Sequence, residues 1–240
     1  MLTALTGAPA RGARRAKTAG LWYTSYLPTR VDPDRLMSEQ YAESLRRSGW
    51  LPSSAAQDPL PPLSLRPPAS AFAEVEPWLE AHRDVQDGRT LAVFAGASSA
   101  DKIWPPAAVA EAGCRAIEAG LVARVLLLEG PREQSLNDEI EGRLRSAGQP
   151  VVRSPLWKPV PFVAALQRIG PRAVLAGDTG PMHLAVAAQS APVLALFRRP
   201  NRHFEPRPPH RVLYSPSSDT LASLSPTEVV DALAILPTEI

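Results

Sequence analysis

Past residue 88 the chain repeats one pattern: a short apolar run, a turn rich in glycine or polar residues, then apolar positions at helical spacing. Thr90 to Ala95, Arg124 to Leu128, Ala173 to Ala176 and Val193 to Phe197 predict strands, with shorter ones at Val151–Val152 and Val212 to Tyr214. Between and after them lie predicted helices: from Pro105–Pro106 to near Gly120, Glu133 to Ser146, Val160 to Ile169, Pro181 to Gln189 and Pro226 to Leu236. A proline suits the first helical turn, where its missing N–H would have no partner anyway. Strands that are apolar throughout and alternate with helices predict an α/β fold, with a parallel sheet covered on both faces.

Before residue 85 the pattern is shorter and broken by prolines at 59, 61, 62, 67 and 68. Asp32 or Asp34 is placed to cap a helix through Arg47, with Leu36, Met37, Tyr41 and Leu45 at helical spacing and Gly49 just past its end. A short strand is predicted at Leu63–Leu65 and a helix from Ala69 to His82 with Phe72, Val75, Leu79 and Trp78 on one face. This first third has too few predicted strands for a sheet of its own. The division is therefore drawn at residues 1–84 and 85–240.

Composition narrows the function. The 26 basic and 24 acidic residues split as 10 against 9 before residue 85 and 16 against 15 after it, so neither part is a polyanion-binding tail and nucleic acid is not the expected partner. A single cysteine, Cys114, cannot form an internal disulfide or a thiolate metal cluster, and this points to a reducing compartment. The first 17 residues lack the apolar core of a signal peptide. The longest mostly apolar stretch, Met182 to Phe197, is interrupted by His183, Gln189, Ser190 and Pro192, so no membrane span is predicted and any membrane contact is peripheral. Arg11, Arg14, Arg15 and Lys17 make a basic cluster that suits a solvated face or an anionic membrane surface.

In a parallel sheet of this kind ligands bind beyond the carboxyl ends of the strands, so the turns after the strands are where chemistry is expected. The turn at 95–105 reads AGASSADKIWP: small residues allow close backbone approach, Ser98 and Ser99 offer hydroxyls, and Lys102 offers a compact cation suited to phosphate. It is one of only three lysines. Trp104 reads as a packing anchor. After the next strand, LLLEGPRE puts Glu133 where a carboxylate can accept from a ribose diol or sit favourably at a helix start. The richest turn is AGDTGPMHLAVAAQSAPVLALF, residues 176–197. Asp178 follows a buried strand, Thr179 and Gly180 turn, and the helix that begins there offers unpaired N–H groups to an anion. His183 lies on its first turn. The four histidines lack ligand spacing, Asp32-Pro33-Asp34 reads as a cap rather than a metal-binding pair, and no metal or cofactor is expected.

Together GASSADKIWP, EGPRE and GDTGPMHLAVAAQSAPVLALF resemble the ADP-heptose:lipopolysaccharide heptosyltransferase family, glycosyltransferase family nine, over residues 90 to about 206. The resemblance implies a GT-B-like fold whose Rossmann-like carboxyl-terminal domain binds a nucleotide sugar, preceded by an incomplete amino-terminal acceptor domain. It implies an inverting, metal-independent transfer of a heptose-like sugar from a nucleotide diphosphate, an ADP-sugar, to a lipid-linked saccharide of the lipopolysaccharide type. The protein would be cytoplasmic, at most peripheral at the inner face of the inner membrane. By position, Ser98, Ser99 and Lys102 would contact the diphosphate, with Lys102 stabilising the leaving group. Glu133 would hold the nucleoside; Asp178, Thr179, Gly180 and His183 would bind the sugar and diphosphate; Trp157 would stack on the base. The chain would start part-way through the acceptor domain, with no residue nominated as general base, and Arg198 stands where the family often has glycine. The rival readings are a non-catalytic nucleotide-sugar binding module, an inactive fragment of such an enzyme, and a GT-B-type epimerase.

Overall fold

In the computed structural model, which describes residues 12–14, 25–27, 32, 35–47 and 62–238, every apolar run predicted beyond residue 88 is a strand. The strands are β3 (Thr90–Phe94), β4 (Arg124–Glu129), β5 (Val151–Leu156), β6 (Ala173–Gly177), β7 (Val193–Phe197) and β8 (Arg211–Tyr214). All neighbours pair in parallel, in the spatial order β5-β4-β3-β6-β7-β8. The connecting helices are α3 (Pro106–Glu118), α4 (Gln134–Ser146), α5 (Pro159–Ile169), α6 (Gly180–Ala188) and, after β8, α7 (Pro226–Ala234). Prolines stand in the first turn of α3, α5, α6 and α7, which absorbs part of the high proline content.

Successive strand residues point to opposite faces. Ala92, Phe94, Leu126, Leu128, Val174 and Ala176 enter one core, and Leu91, Val93, Val125, Leu127, Ala173 and Leu175 enter the other. The first core is closed by α5, α6 and α2 (Ala69–Ala81), whose Val75 and Leu79 are fully buried. The second is closed by α3, α4 and α7. Because α2 covers the sheet, the compact unit that holds the sheet starts at Leu63 and comprises Leu63–Pro200 and Pro206–Ile240. Predicted position 85 falls inside that unit, in the short turn Arg83–Gln86 where Val85 is buried.

Two predictions for this unit need correction. Leu63–Leu65 is not a strand; the Leu65 amide donates to the Ala187 carbonyl at 2.9 Å and its own carbonyl accepts from Gln167, so the segment is tied to helix ends instead of a sheet edge. β5 is longer than Val151–Val152, because Arg153 ion-pairs with Glu129 on the neighbouring strand and Pro155 is tolerated on an edge.

The other unit comprises Met1–Pro62 and Asn201–Glu205. Its described residues include α1 (Met37–Arg47) and a parallel pair, β1 (Gly12–Arg14) with β2 (Ser25–Leu27). The first third therefore does contain a small sheet, which the pattern does not reveal because GAR and SYL are too short to show a period. The helix starts at Met37, not at an Asp32 cap: the Asp32 backbone is held at both N and O by the Gln40 side chain, at 2.8 Å each, and the Met37 amide donates to the His203 carbonyl. Asp34, Gly49, Pro59, Pro61, Arg11, Arg15 and Lys17 lie outside the described residues. No helix among the described residues is long and apolar enough to cross a membrane.

His210 ties the loop before β8 to the sheet, its ring Nδ1 accepting from the Val193 amide at 3.1 Å. Burial lowers its pKa from the ordinary 6.5, and burial acts in the same direction on His183. The unfolded chain then takes up protons first, so stability is complete above about pH 6.5 and falls as pH drops below it. His210→Asn, which keeps an acceptor for Val193 but no titration, is expected to flatten this decline. Urea midpoints at neutral and mildly acidic pH read it; an unchanged pH slope would refute the assignment.

Candidate functional site

β3 is the first strand of the sheet, and its neighbours are β4 on one side and β6 on the other. The chain therefore leaves β3 and β6 in opposite lateral directions, which opens a crevice beyond their carboxyl ends. Two loops meet there. From β3 comes Ala95–Pro105, folded at Ala100–Lys102 into a single 3₁₀ turn; from β6 comes Asp178–Thr179, leading into α6. The Lys102 ammonium lies 3.2 Å from an Asp178 carboxylate oxygen, across 76 residues of sequence. A shallow cleft beside them, open to solvent, has Lys102, Gly96 and Gly177 in its wall together with the apolar Val93, Leu175 and Trp104.

The Lys102 and Asp178 side chains are 31% and 19% exposed. An ion pair so open to solvent adds at most about 1 kcal/mol to stability. Its value lies in what it holds ready: a cation that exchanges a carboxylate for a more highly charged anion, and a carboxylate that can then accept from hydroxyls.

α6 begins two residues after Asp178. Thr179 occupies the N-cap in extended conformation, yet its side chain makes no cap hydrogen bond and donates to the Gly177 carbonyl at 3.4 Å. Met182, fully buried, anchors the first turn beneath the sheet. His183 is half-buried; burial lowers its pKa from 6.5 and the Asp178 charge opposes that shift only in part, so its imidazole is neutral near pH 7. A neutral ring offers one donor and one acceptor, which suits a hydroxyl.

Glu133 sits at the N-cap of α4 and is only 6% exposed. Its carboxylate is wedged between two glycines: a Cβ at either Gly96 or Gly130 would overlap it. The Arg132 amide donates to it at 2.9 Å. At both positions the carboxylate occupies the space a Cβ would fill, so a side chain there has to displace it. Gly96→Ala or Gly130→Ala is expected to expel or compress this carboxylate and cost about 1–3 kcal/mol, the usual range for overpacking. Urea unfolding measures it, and a loss well under 1 kcal/mol at both sites would show that the carboxylate moves freely.

The structure thus brings Lys102, Asp178, Thr179, Gly180 and His183 to one crevice, and Glu133 against Gly96 of the same β3 loop. Ser98 and Ser99 are exposed on that loop, and the Ser99 side chain is hydrogen-bonded to Asp101. Trp104 is a packing residue, 4% exposed, with its indole N–H donating to the Leu224 carbonyl. Trp157 is 9% exposed and packs edge-on against Trp78 with ring centroids 5.2 Å apart, so the apolar core has claimed the ring expected to stack on a base. Asp101 is a site residue that sequence reasoning misses. An aspartate directly before the only lysine of a small-residue loop is the signal, and its partner Arg198 is 97 positions away. Among the described residues no cluster of His, Cys, Asp or Glu has the arrangement of a metal site.

Comparison with known proteins identifies the family and the fold. Residues 62–223, more than half of the chain, match the profile of glycosyltransferase family 9 (heptosyltransferase). No curated protein sequence matches significantly. Among solved structures, a family 9 glycosyl transferase from Veillonella parvula superposes with a TM-score of 0.76 at 18% identity, covering 95% of this chain and 67% of that one. The E. coli ADP-heptose lps heptosyltransferase II gives 0.72 at 20% identity, covering 96% and 70%. E. coli heptosyltransferase WaaC with ADP gives 0.56 at 17% identity, covering 94% and 64%. At such identities the structures establish the fold. The chain spans about two thirds of each.

Proposed function

This chain belongs to glycosyltransferase family 9, and from that premise we propose that its crevice binds the diphosphate of a nucleotide-sugar donor. The sugar, heptose-like and carried on ADP, is transferred with inversion and without a metal ion to a lipid-linked saccharide of the lipopolysaccharide type. The observation that carries this reading is the Lys102–Asp178 pair, with Asp178 two residues before the start of α6.

An acceptor hydroxyl attacks the anomeric carbon, the bond from that carbon to the β-phosphate oxygen breaks, and the hydroxyl proton passes to a general base. Negative charge grows on the leaving diphosphate. Lys102 and the α6 N-terminal amides meet that charge in this reading, and preorganised charge stabilisation is commonly the largest catalytic contribution. Asp178 and neutral His183 accept from and donate to sugar hydroxyls, and Glu133 accepts from the ribose diol. The general base is assigned to none of these side chains. The setting proposed is the cytoplasmic face of the inner membrane, where a lipid-linked acceptor is presented to a water-borne donor.

The WaaC structure is a complex with ADP, and the heptosyltransferase II structure is named for ADP-heptose. Calorimetric titration with ADP and AMP tests the corresponding site in this chain. ADP is expected to bind at least about tenfold tighter than AMP, the worth of one charge-assisted contact to the β-phosphate. Equal affinity would discard the diphosphate role. Tight ADP-sugar binding with no ADP release in the presence of a core-lipid acceptor would favour the binding-module reading.

A further inference from the structure

The turn that carries Lys102 is pinned at two points, and only one of them faces the proposed donor site. Ala100–Lys102 is closed by hydrogen bonds from the Lys102 amide to the Ser99 carbonyl and from the Ile103 amide to the Ala100 carbonyl, both 3.1 Å. It reaches across the end of β6: the Lys102 carbonyl oxygen would lie 3.6 Å from a Cβ built on Gly177. On its far side Asp101 pairs with Arg198, the first residue after β7. The same guanidinium nitrogen lies 3.5 Å from the Asp219 carbonyl oxygen. The Arg198 Nε is buried with no hydrogen-bond partner. A guanidinium held with an unpaired N–H is not an ordinary solvated arginine; the Asp101 pair offsets the cost of placing it there.

We propose that Arg198 is a positioning residue, which through Asp101 fixes the turn that aims Lys102 at Asp178. Successive residues of a 3₁₀ turn point about 120° apart. Holding Asp101 towards β7 therefore sets the direction in which Lys102 leaves the turn, towards the loop after β6. The arginine also neutralises Asp101, whose carboxylate would otherwise repel an anion approaching the adjacent lysine. A hydrogen bond from Ser99, then a backbone hydrogen bond and the Arg198 charge, hold the Asp101 carboxyl below the usual carboxylate range. The proposal rests on Lys102 being the diphosphate-facing cation, but its first test needs no nucleotide.

That test is trace acetylation of the folded protein with peptide mass spectrometry, the exposed Lys158 serving as internal reference. Arg198→Ala and Asp101→Asn are each expected to raise the relative reactivity of Lys102 about two- to fivefold, as its ion pair with Asp178 loosens. Arg198→Lys, with the charge but not the planar fork, should recover part of the protection. Unchanged Lys102 reactivity in both variants would overturn the proposal. If Arg198→Ala does not fold, Asp101→Asn removes the same pair from its more exposed side and decides alone.

The second arm is a double-mutant cycle on ADP affinity. Arg198→Ala should weaken ADP binding about fivefold in the parent and have no further effect in Lys102→Ala, because it acts through that lysine. Additive losses would make Arg198 a direct phosphate ligand and overturn the positioning role. A folded parent that binds no ADP would refute the donor site, while the acetylation result would still decide the role of Arg198.

Discussion

Replacing Lys102 with alanine is expected to lower turnover of an ADP-sugar donor by about 10²–10³-fold, the loss typical of one removed electrostatic contact at a charge-developing oxygen. The size follows from where the charge forms. In the ground state the diphosphate is already anionic and Lys102 helps to bind it; in the transition state a further negative charge grows on the bridging oxygen. Only the part of the interaction that strengthens on the way to the transition state raises kcat. The prediction is therefore a fall in kcat larger than the loss in ADP affinity, and steady-state kinetics beside calorimetry separates the two. The fold should be almost untouched, because the ammonium is part-exposed and its pair with Asp178 adds little to stability. A folded variant that retains most of the parent kcat would remove Lys102 from the mechanism.

The sheet is legible in the sequence because it is buried on both faces. Runs such as Leu91-Ala92-Val93-Phe94 and Val193 to Phe197 need no partner pattern to be recognised, and they alternate with helices whose starts carry proline. The crevice follows from that alternation, since a strand end followed by Gly, Asp and Thr has few purely structural explanations. What the sequence withholds has two physical sources. β1 and β2 are too short to show a period, and Leu63–Leu65, apolar at both ends, docks against helix ends with no ladder to join. The contacts between distant residues are the other loss. The Glu133 carboxylate seated between Gly96 and Gly130, the Asp101–Arg198 pair and the Trp104–Leu224 hydrogen bond each join segments brought together only by the strand order. A local reading sees a helix-start acid, a charged loop and a lone tryptophan.

Trp104→Ala is expected to cost about 3–5 kcal/mol, the range for removing a buried large aromatic side chain. Trp104 is 4% exposed and packs in the core closed by α3 and α7, with Val109, Leu221 and Leu224 in the same cluster. Its indole N–H donates to the Leu224 carbonyl at 3.0 Å, across 120 residues. Alanine leaves a cavity and strips that carbonyl of its donor, so two costs add. Phenylalanine separates them: it refills most of the volume but leaves the carbonyl unpaired, and Trp104→Phe should lose only about 1–3 kcal/mol. Typical domain stabilities are about 5–15 kcal/mol, so the alanine variant is expected to lose a large share of the total. The position also matters for the site, because Trp104 follows the Lys102 turn by two residues and anchors it to the sheet from below. Urea unfolding of both variants measures the two losses. If alanine cost no more than phenylalanine, the ring would contribute nothing beyond its hydrogen bond, and the turn would have to draw its rigidity from Arg198 and Asp178 alone.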